Sequence, residues 1–153
     1  ELLLVGGGDN LGQKKLDEAI SKFDPKIEFI TRIQNVANDR LPAIISKNDI
    51  FIFASSCENM PNTVLEGMAS GLPIASSNRG PMPEVLEDGG VYFDPEKPSD
   101  IENALEKLVL DEELRKEVMS NSRERIKFFS WSRCADETLQ FLSETYHKFQ
   151  GKS

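Results

Sequence analysis

The residues that could do chemistry are concentrated between positions 55 and 84, SSCENMPNTVLEGMASGLPIASSNRGPMPE. Glu58 and Glu66 stand eight positions apart there, the first in a loop and the second in a helical pattern. A carboxylate reads vicinal hydroxyls by accepting two hydrogen bonds. Between the two acids the chain turns into a helix near Thr63. The first turn of a helix leaves backbone N–H groups unpaired and carries partial positive charge. Such a turn suits a pyrophosphate. A plainer reading competes: Thr63-Val64-Leu65-Glu66 is also a capping box, with Glu66 reaching back to the Thr63 backbone. Gly6-Gly7-Gly8-Asp9 invites a dinucleotide-binding turn, but G-x-G-x-x-G needs glycine at 11, where Leu11 stands. Arg79 could meet a phosphate, although a surface arginine is the default. His147 reads as a surface or packing residue, and Trp131 is expected to pack.

These residues need elements to hold them. Leu2 to Val5 is a continuous apolar run ended by three glycines, as in strands buried on both faces. Residues 27–30, 49–54, 72–76 and 91–93 read as further strands. Leu16, Ala19, Ile20 and Phe23 mark a helix over 13–23, ended by Pro25. Shorter helices are expected at 41–46, 63–70 and 83–86, the second stopped by Gly71. From Ser99 on the pattern is helical. Ile101, Ala104, Leu105, Leu108 and Val109 form one stripe, 111–125 is a charged helix, and 134–149 is a last amphipathic one. Residues 151–153 are expected to fray. Strands alternating with helices indicate an α/β fold with a parallel sheet. Ligand sites of such sheets lie at the carboxyl ends of the strands. That is where the loop at 58–62 would sit.

The bulk numbers set limits. The chain has 153 residues, which predicts one domain, and 39% of it is apolar. Counting glycine with the apolar residues brings it near the ordinary globular proportion of ~45–50%. With 18 basic and 26 acidic residues the net charge is −8. That field argues against nucleic acid or an anionic membrane as partner. An anionic ligand must be held by local donors. Cys57 and Cys134 form no metal spacing and no disulfide framework. A reduced compartment fits, and a cytoplasmic location is expected. The longest apolar run is too short to cross a bilayer.

The 55–84 stretch resembles the donor-binding half of glycosyltransferase family 4, retaining enzymes of the GT-B fold. Glu58 and Glu66 have that family's E-x7-E spacing. Pro61, Gly67, Ala69, Gly71, Leu72 and Pro73 fall where its pattern wants them. Gly80, Pro83, Glu84 and Val85 match its G-x-x-E-V segment, and 90–95 (GVYFDP) its last strand. The resemblance implies a Rossmann-like parallel sheet with helices on both faces, lacking its first strand. Residues 1–153 would be a partial donor-binding domain without the acceptor-binding N-terminal domain. Glu58 would be the catalytic-site acid that accepts hydrogen bonds from the donor sugar, and Glu66 would bind the ribose. Backbone N–H groups of Asn62, Thr63 and Val64, with the Thr63 hydroxyl, would hold the phosphates. Met60, Pro61 and Gly7 would complete the donor pocket, Gly7 on the strand-to-helix turn that lines it.

The implied parent moves a hexose from a UDP- or GDP-linked sugar to an acceptor hydroxyl, keeping anomeric configuration. The acceptor would be a glycan, a lipid or another hydroxyl compound held by the N-terminal half. Polysaccharide or glycolipid synthesis is implied, with that half bringing the enzyme to a membrane surface. No D-x-D pair follows a strand, so no metal and no other cofactor is expected. The Arg and Lys that neutralise the diphosphate in this family are missing, so the chain alone is expected to be inactive. Two alternatives stay open: a nucleotide-sugar epimerase of the same fold, and a non-catalytic binding module that needs a partner chain. The final helix is expected to cross to the N-terminal half, leaving apolar side chains uncovered here.

Overall fold

A computed structural model describes residues 1–150, and the expected fraying of 151–153 lies outside them. The chain divides into two compact units, Glu1–Ile44 and Ile45–Ser153.

In the first unit, β1 (Leu2–Val5) pairs in parallel with β2 (Ile30–Ile33), from Leu2 opposite Ile30 to Val5 opposite Ile33. Helix α1 (Asn10–Phe23) joins them and starts three residues before the expected position. The Asp9 carboxylate causes this: it accepts the Gly12 N–H at 2.6 Å and caps the first turn. Strand β2 also lies later than the expected 27–30. Asp24, buried at the end of α1, accepts the N–H groups of Glu28, Phe29 and Ile30 at 2.8, 3.0 and 2.7 Å. Those residues wrap around one carboxylate, and the ladder opens only at Ile30. Burial pushes the Asp24 carboxyl up, but the three backbone donors outweigh it and leave the group below its ordinary range. Phe23 is exposed, with the Lys22 ammonium 4.8 Å above its ring. A short 3-10 turn (Asn38–Arg40) and α2 (Leu41–Ile45) follow.

The second unit contains β3 (Phe51–Phe53), α3 (Asn62–Ser70), β4 (Ile74–Ser77), α4 (Met82–Leu86) and β5 (Gly90–Phe93). Three helices complete it: α5 (Pro98–Leu110), α6 (Glu112–Ile126) and α7 (Trp131–Gln150). Its sheet is parallel in the order β3-β4-β5. All of central β4 is buried. Side chains alternate between the two faces, as the pleat requires. Phe51, Phe53, Ile74 and Tyr92 meet Val64, Met68, Met82, Val85 and Leu86 from α3 and α4 on one face. Ile52, Ala75, Val91 and Phe93 meet Ala104, Leu108 and Val118 from α5 and α6 on the other. Helices therefore cover both faces, as expected.

Three expectations fail locally. Val109 was placed on the inward stripe of α5 and is exposed, because Ala104 and Leu108 already fill that line. Trp131 was expected to pack; it opens α7 and is 82% exposed. Strand β4 begins at Ile74 rather than 72, since Gly71 ends α3 at φ +74 and Pro73 has no N–H for a ladder. Strands β1 and β3 belong to different sheets.

Candidate functional site

The loop from β3 to α3 leaves the carboxyl end of the sheet and carries Glu58. Its own hydrogen bonds are few. Ser55 Oγ donates to the Cys57 carbonyl at 3.3 Å, and the Asn62 N–H donates to the Met60 carbonyl at 2.9 Å. Pro61 is buried and stands at the N-cap of α3. Its carbonyl accepts the N–H groups of Val64 at 2.9 Å and Leu65 at 3.3 Å. Proline has no side-chain acceptor, and Thr63 already lies inside the first turn. The capping box is therefore not formed, and no side chain caps α3.

This has two consequences for the site. Glu66 makes no hydrogen bond or ion pair among the described residues, so its carboxylate is available. Of the three N–H groups expected to meet phosphate, those of Asn62 and Val64 already donate to carbonyls, while Thr63's is unengaged. The faces of α3 sort the same way. Val64, Gly67 and Met68 are buried, whereas Asn62, Thr63 and Glu66 are exposed. Spacings of three and four put those three on one side of the helix. Gly67 makes this seating possible: a Cβ there would stand 2.7 Å from the Phe51 ring.

Glu58 is half-buried and likewise unpaired, and Met60 beside it is exposed. The backbone of Glu58 faces Gly80, on the loop after β4, with room for a Cβ between them. A Cβ on Gly80 would stand 3.5 Å from the Glu58 carbonyl oxygen and 3.9 Å from its nitrogen. Gly80 has φ +54, in the left-handed region. Gly7 is in the first unit, on the exposed loop between β1 and α1, where the Gly8 carbonyl accepts Gln13 Nε2 at 2.6 Å.

Arg79 is neither free nor solitary. Its Nη2 lies 3.0 Å from Asp94 Oδ1 and 3.5 Å from Glu96 Oε2. Asp94 also accepts the Glu96 N–H, which lowers its acidity range furthest, with Arg79 next and Lys97 adding to the effect against burial. Asp94 was not singled out from sequence. The signal was available: β4 and β5 run parallel with Ser77 opposite Phe93, so the residues just past them become neighbours. His147 stacks edge-on against Tyr146 on exposed α7.

A parallel sheet covered by helices on both faces, with an acid-bearing loop and helix at its carboxyl end, is the architecture of the GT-B glycosyltransferases. The chain belongs to the family described as glycosyl transferases group 1, whose pattern matches residues 1–125. It is 28% identical over 128 residues to an uncharacterized glycosyltransferase of Methanocaldococcus jannaschii, covering 81% of this chain and 36% of that protein. It is 32% identical over 117 residues to spore coat protein SA of Bacillus subtilis, covering 73% and 31%. The chain thus spans about a third of the length of these curated relatives. Among solved structures, sucrose-phosphate synthase from Thermosynechococcus elongatus superposes with a TM-score of 0.82 at 21% identity, over 96% of this chain and 39% of that one. Anabaena HepE in complex with UDP-glucose gives 0.81 at 19% identity, over 93% and 40%. These likenesses are of fold.

Proposed function

We propose that this chain is the donor-binding part of a retaining glycosyltransferase that moves a hexose from a UDP- or GDP-linked sugar to an acceptor hydroxyl. The observation that carries the reading is the state of α3. Its first turn offers the Thr63 N–H, and Glu66 lies unpaired on the same exposed side, because Pro61 and not Thr63 caps the helix. A capping glutamate would be spent; this one is free to accept ribose hydroxyls. Glu58 on the preceding loop would accept hydroxyls of the donor sugar beside the reacting carbon. The Thr63 N–H and hydroxyl would steady the diphosphate, with Asn62 and Val64 shaping the turn rather than donating. Met60 and Pro61 would wall the pocket. Aimed donors of this kind stabilise leaving-group charge without a metal, and none is proposed.

The UDP-glucose held by Anabaena HepE and the name of a further relative, O-antigen chain mannosyltransferase B of Escherichia coli, support a sugar-nucleotide substrate. The acceptor half belongs to the parent, and α7 would be the element that crosses to it. Calorimetry tests the reading: the chain is titrated with UDP, GDP, UDP-glucose and GDP-mannose, and then again as Glu66→Ala. A hydrogen bond to a charged partner is worth ~1.5–3 kcal/mol, or about 10- to 150-fold in affinity. Equal affinity in the variant would reduce Glu66 to a surface acid.

A further inference from the structure

We propose that the turn at Pro61 is a latch on the donor site, closed in the free chain by the Met60 carbonyl and opened by a diphosphate oxygen that takes its place. This rests on the reading of the first turn of α3 as the seat of the diphosphate. That reading uses Asn62 as it stands in the free chain, shaping the turn. The latch adds what Asn62 does once the ligand is seated.

The first turn of a helix has N–H groups without helical partners, and in α3 they are not alike. The Val64 N–H donates to the Pro61 carbonyl at 2.9 Å, within the helix start itself. The Thr63 N–H is unengaged. The Asn62 N–H donates at 2.9 Å to the carbonyl of Met60. Pro61, between those two residues, has φ −81 and ψ 75, close to the inverse γ-turn at about −75° and +65°. The Met60 oxygen thus occupies a donor at the helix end that an anion would otherwise meet.

One torsion releases it. The pyrrolidine ring fixes φ of proline, so ψ of Pro61 is the free coordinate. An extended ψ is the ordinary state at a helix start, and this chain shows it at α1. There Asp9 has φ −66 and ψ 165, and the Gly8 carbonyl accepts Gln13 Nε2 instead of a first-turn N–H. Turning Pro61 toward that value breaks the Met60–Asn62 bond and leaves the bonds of α3 intact. It also moves what precedes Pro61. Among the described residues, no other hydrogen bond holds 58–60, and the Ser55–Cys57 bond lies ahead of them. Glu58 travels with that segment, so seating the diphosphate also sets the carboxylate that is to meet the sugar. A hydrogen bond to a charged oxygen is about twice as strong as one to a neutral carbonyl, so the exchange runs toward the ligand.

The test reads the Asn62 amide directly. Isotope-labelled chain is saturated with UDP, and separately with GDP. NMR then measures scalar couplings across N–H···O–P hydrogen bonds, between amide nitrogen and ligand phosphorus. Coupling to both Asn62 and Thr63 is expected. Coupling to Thr63 alone would overturn the latch and leave the seat of the diphosphate standing. Coupling to neither, or binding of neither nucleotide, would overturn both. Two variants give an independent measure by calorimetry. Asn62→Pro deletes the N–H at the first helical position, where proline is well tolerated, and Asn62→Ala removes only the side chain. Asn62→Pro should bind UDP about fivefold more weakly than Asn62→Ala, because it forgoes the exchange of a carbonyl for a charged partner. Equal affinities would overturn the latch, and the coupling measurement decides without either variant.

Discussion

At Tyr92, burial and two nearby carboxylates act in the same direction. Burial contributes most, Asp88 and Glu87 add their negative charge, and together they push the phenol up to about 12. Its hydroxyl donates to the Glu87 carbonyl and so ties β5 to the end of α4. A phenol raised above its unfolded value of about 10 stabilises the fold while it stays protonated. That contribution is whole below pH ~10 and is lost as the pH rises through about 12. Tyr92→Phe should lose ~0.5–1.5 kcal/mol at neutral pH, the worth of one hydrogen bond. It should also flatten the fall in stability above pH ~10. Urea titrations at several alkaline pH values measure both. An unchanged alkaline slope in the variant would assign the fall to other groups. Glu66 makes the complementary point: with no partner of its own, its replacement should cost ligand affinity and leave the urea midpoint where it was.

Among the elements, α3 depends most on one residue. Gly67→Ala sets two known effects against each other. Alanine in a helix interior is worth about 1 kcal/mol over glycine. The added methyl would stand 2.7 and 2.8 Å from Phe51 ring atoms, and Phe51 packs against the core under α3. Overpacking of that kind costs ~1–3 kcal/mol, so the clash should win and the chain should lose up to about 2 kcal/mol. A gain of about 1 kcal/mol would show that the ring moves aside freely. The same helix marks how far local pattern reaches. Its apolar spacing and its glycine stop were legible, because each is a property of a few adjacent residues. The capping box was not, because Pro61 took the N-cap and moved Thr63 inside the turn. Strand β2 slipped for a similar reason: the Asp24 carboxylate gathers three N–H groups that a strand would otherwise use. Arg79 and Asp94 come together only through sheet register.

Over the molecule as a whole, apolar surface is distributed unevenly. The three-stranded sheet buries its side chains on both faces, while α7 buries none. Leu139, Phe141 and Phe149 are 67%, 67% and 74% exposed, and Leu142 and Tyr146 share the condition. Helical spacing puts Leu139, Leu142, Tyr146 and Phe149 on one face and Phe141 off it, and all five are open to solvent. A side chain of this size gains ~1.5–3 kcal/mol on leaving water, and here that gain is not realised. If α7 closed the core of its own unit, removing it would expose Phe129 and Ile126 and abolish cooperative melting. The burial pattern predicts the reverse. Phe129 and Ile126 pack against the core from α6 and the turn behind it, ahead of Trp131. A chain ending at Ser130 should therefore melt cooperatively within about 4 °C of the parent, a shift that corresponds to roughly 1 kcal/mol. It should also bind less of a hydrophobic dye such as ANS, because the exposed apolar face has gone. Thermal melts and dye titration on the two chains are sufficient. Loss of the cooperative transition would mean that α7 completes the core, and the exposed face would then need another explanation.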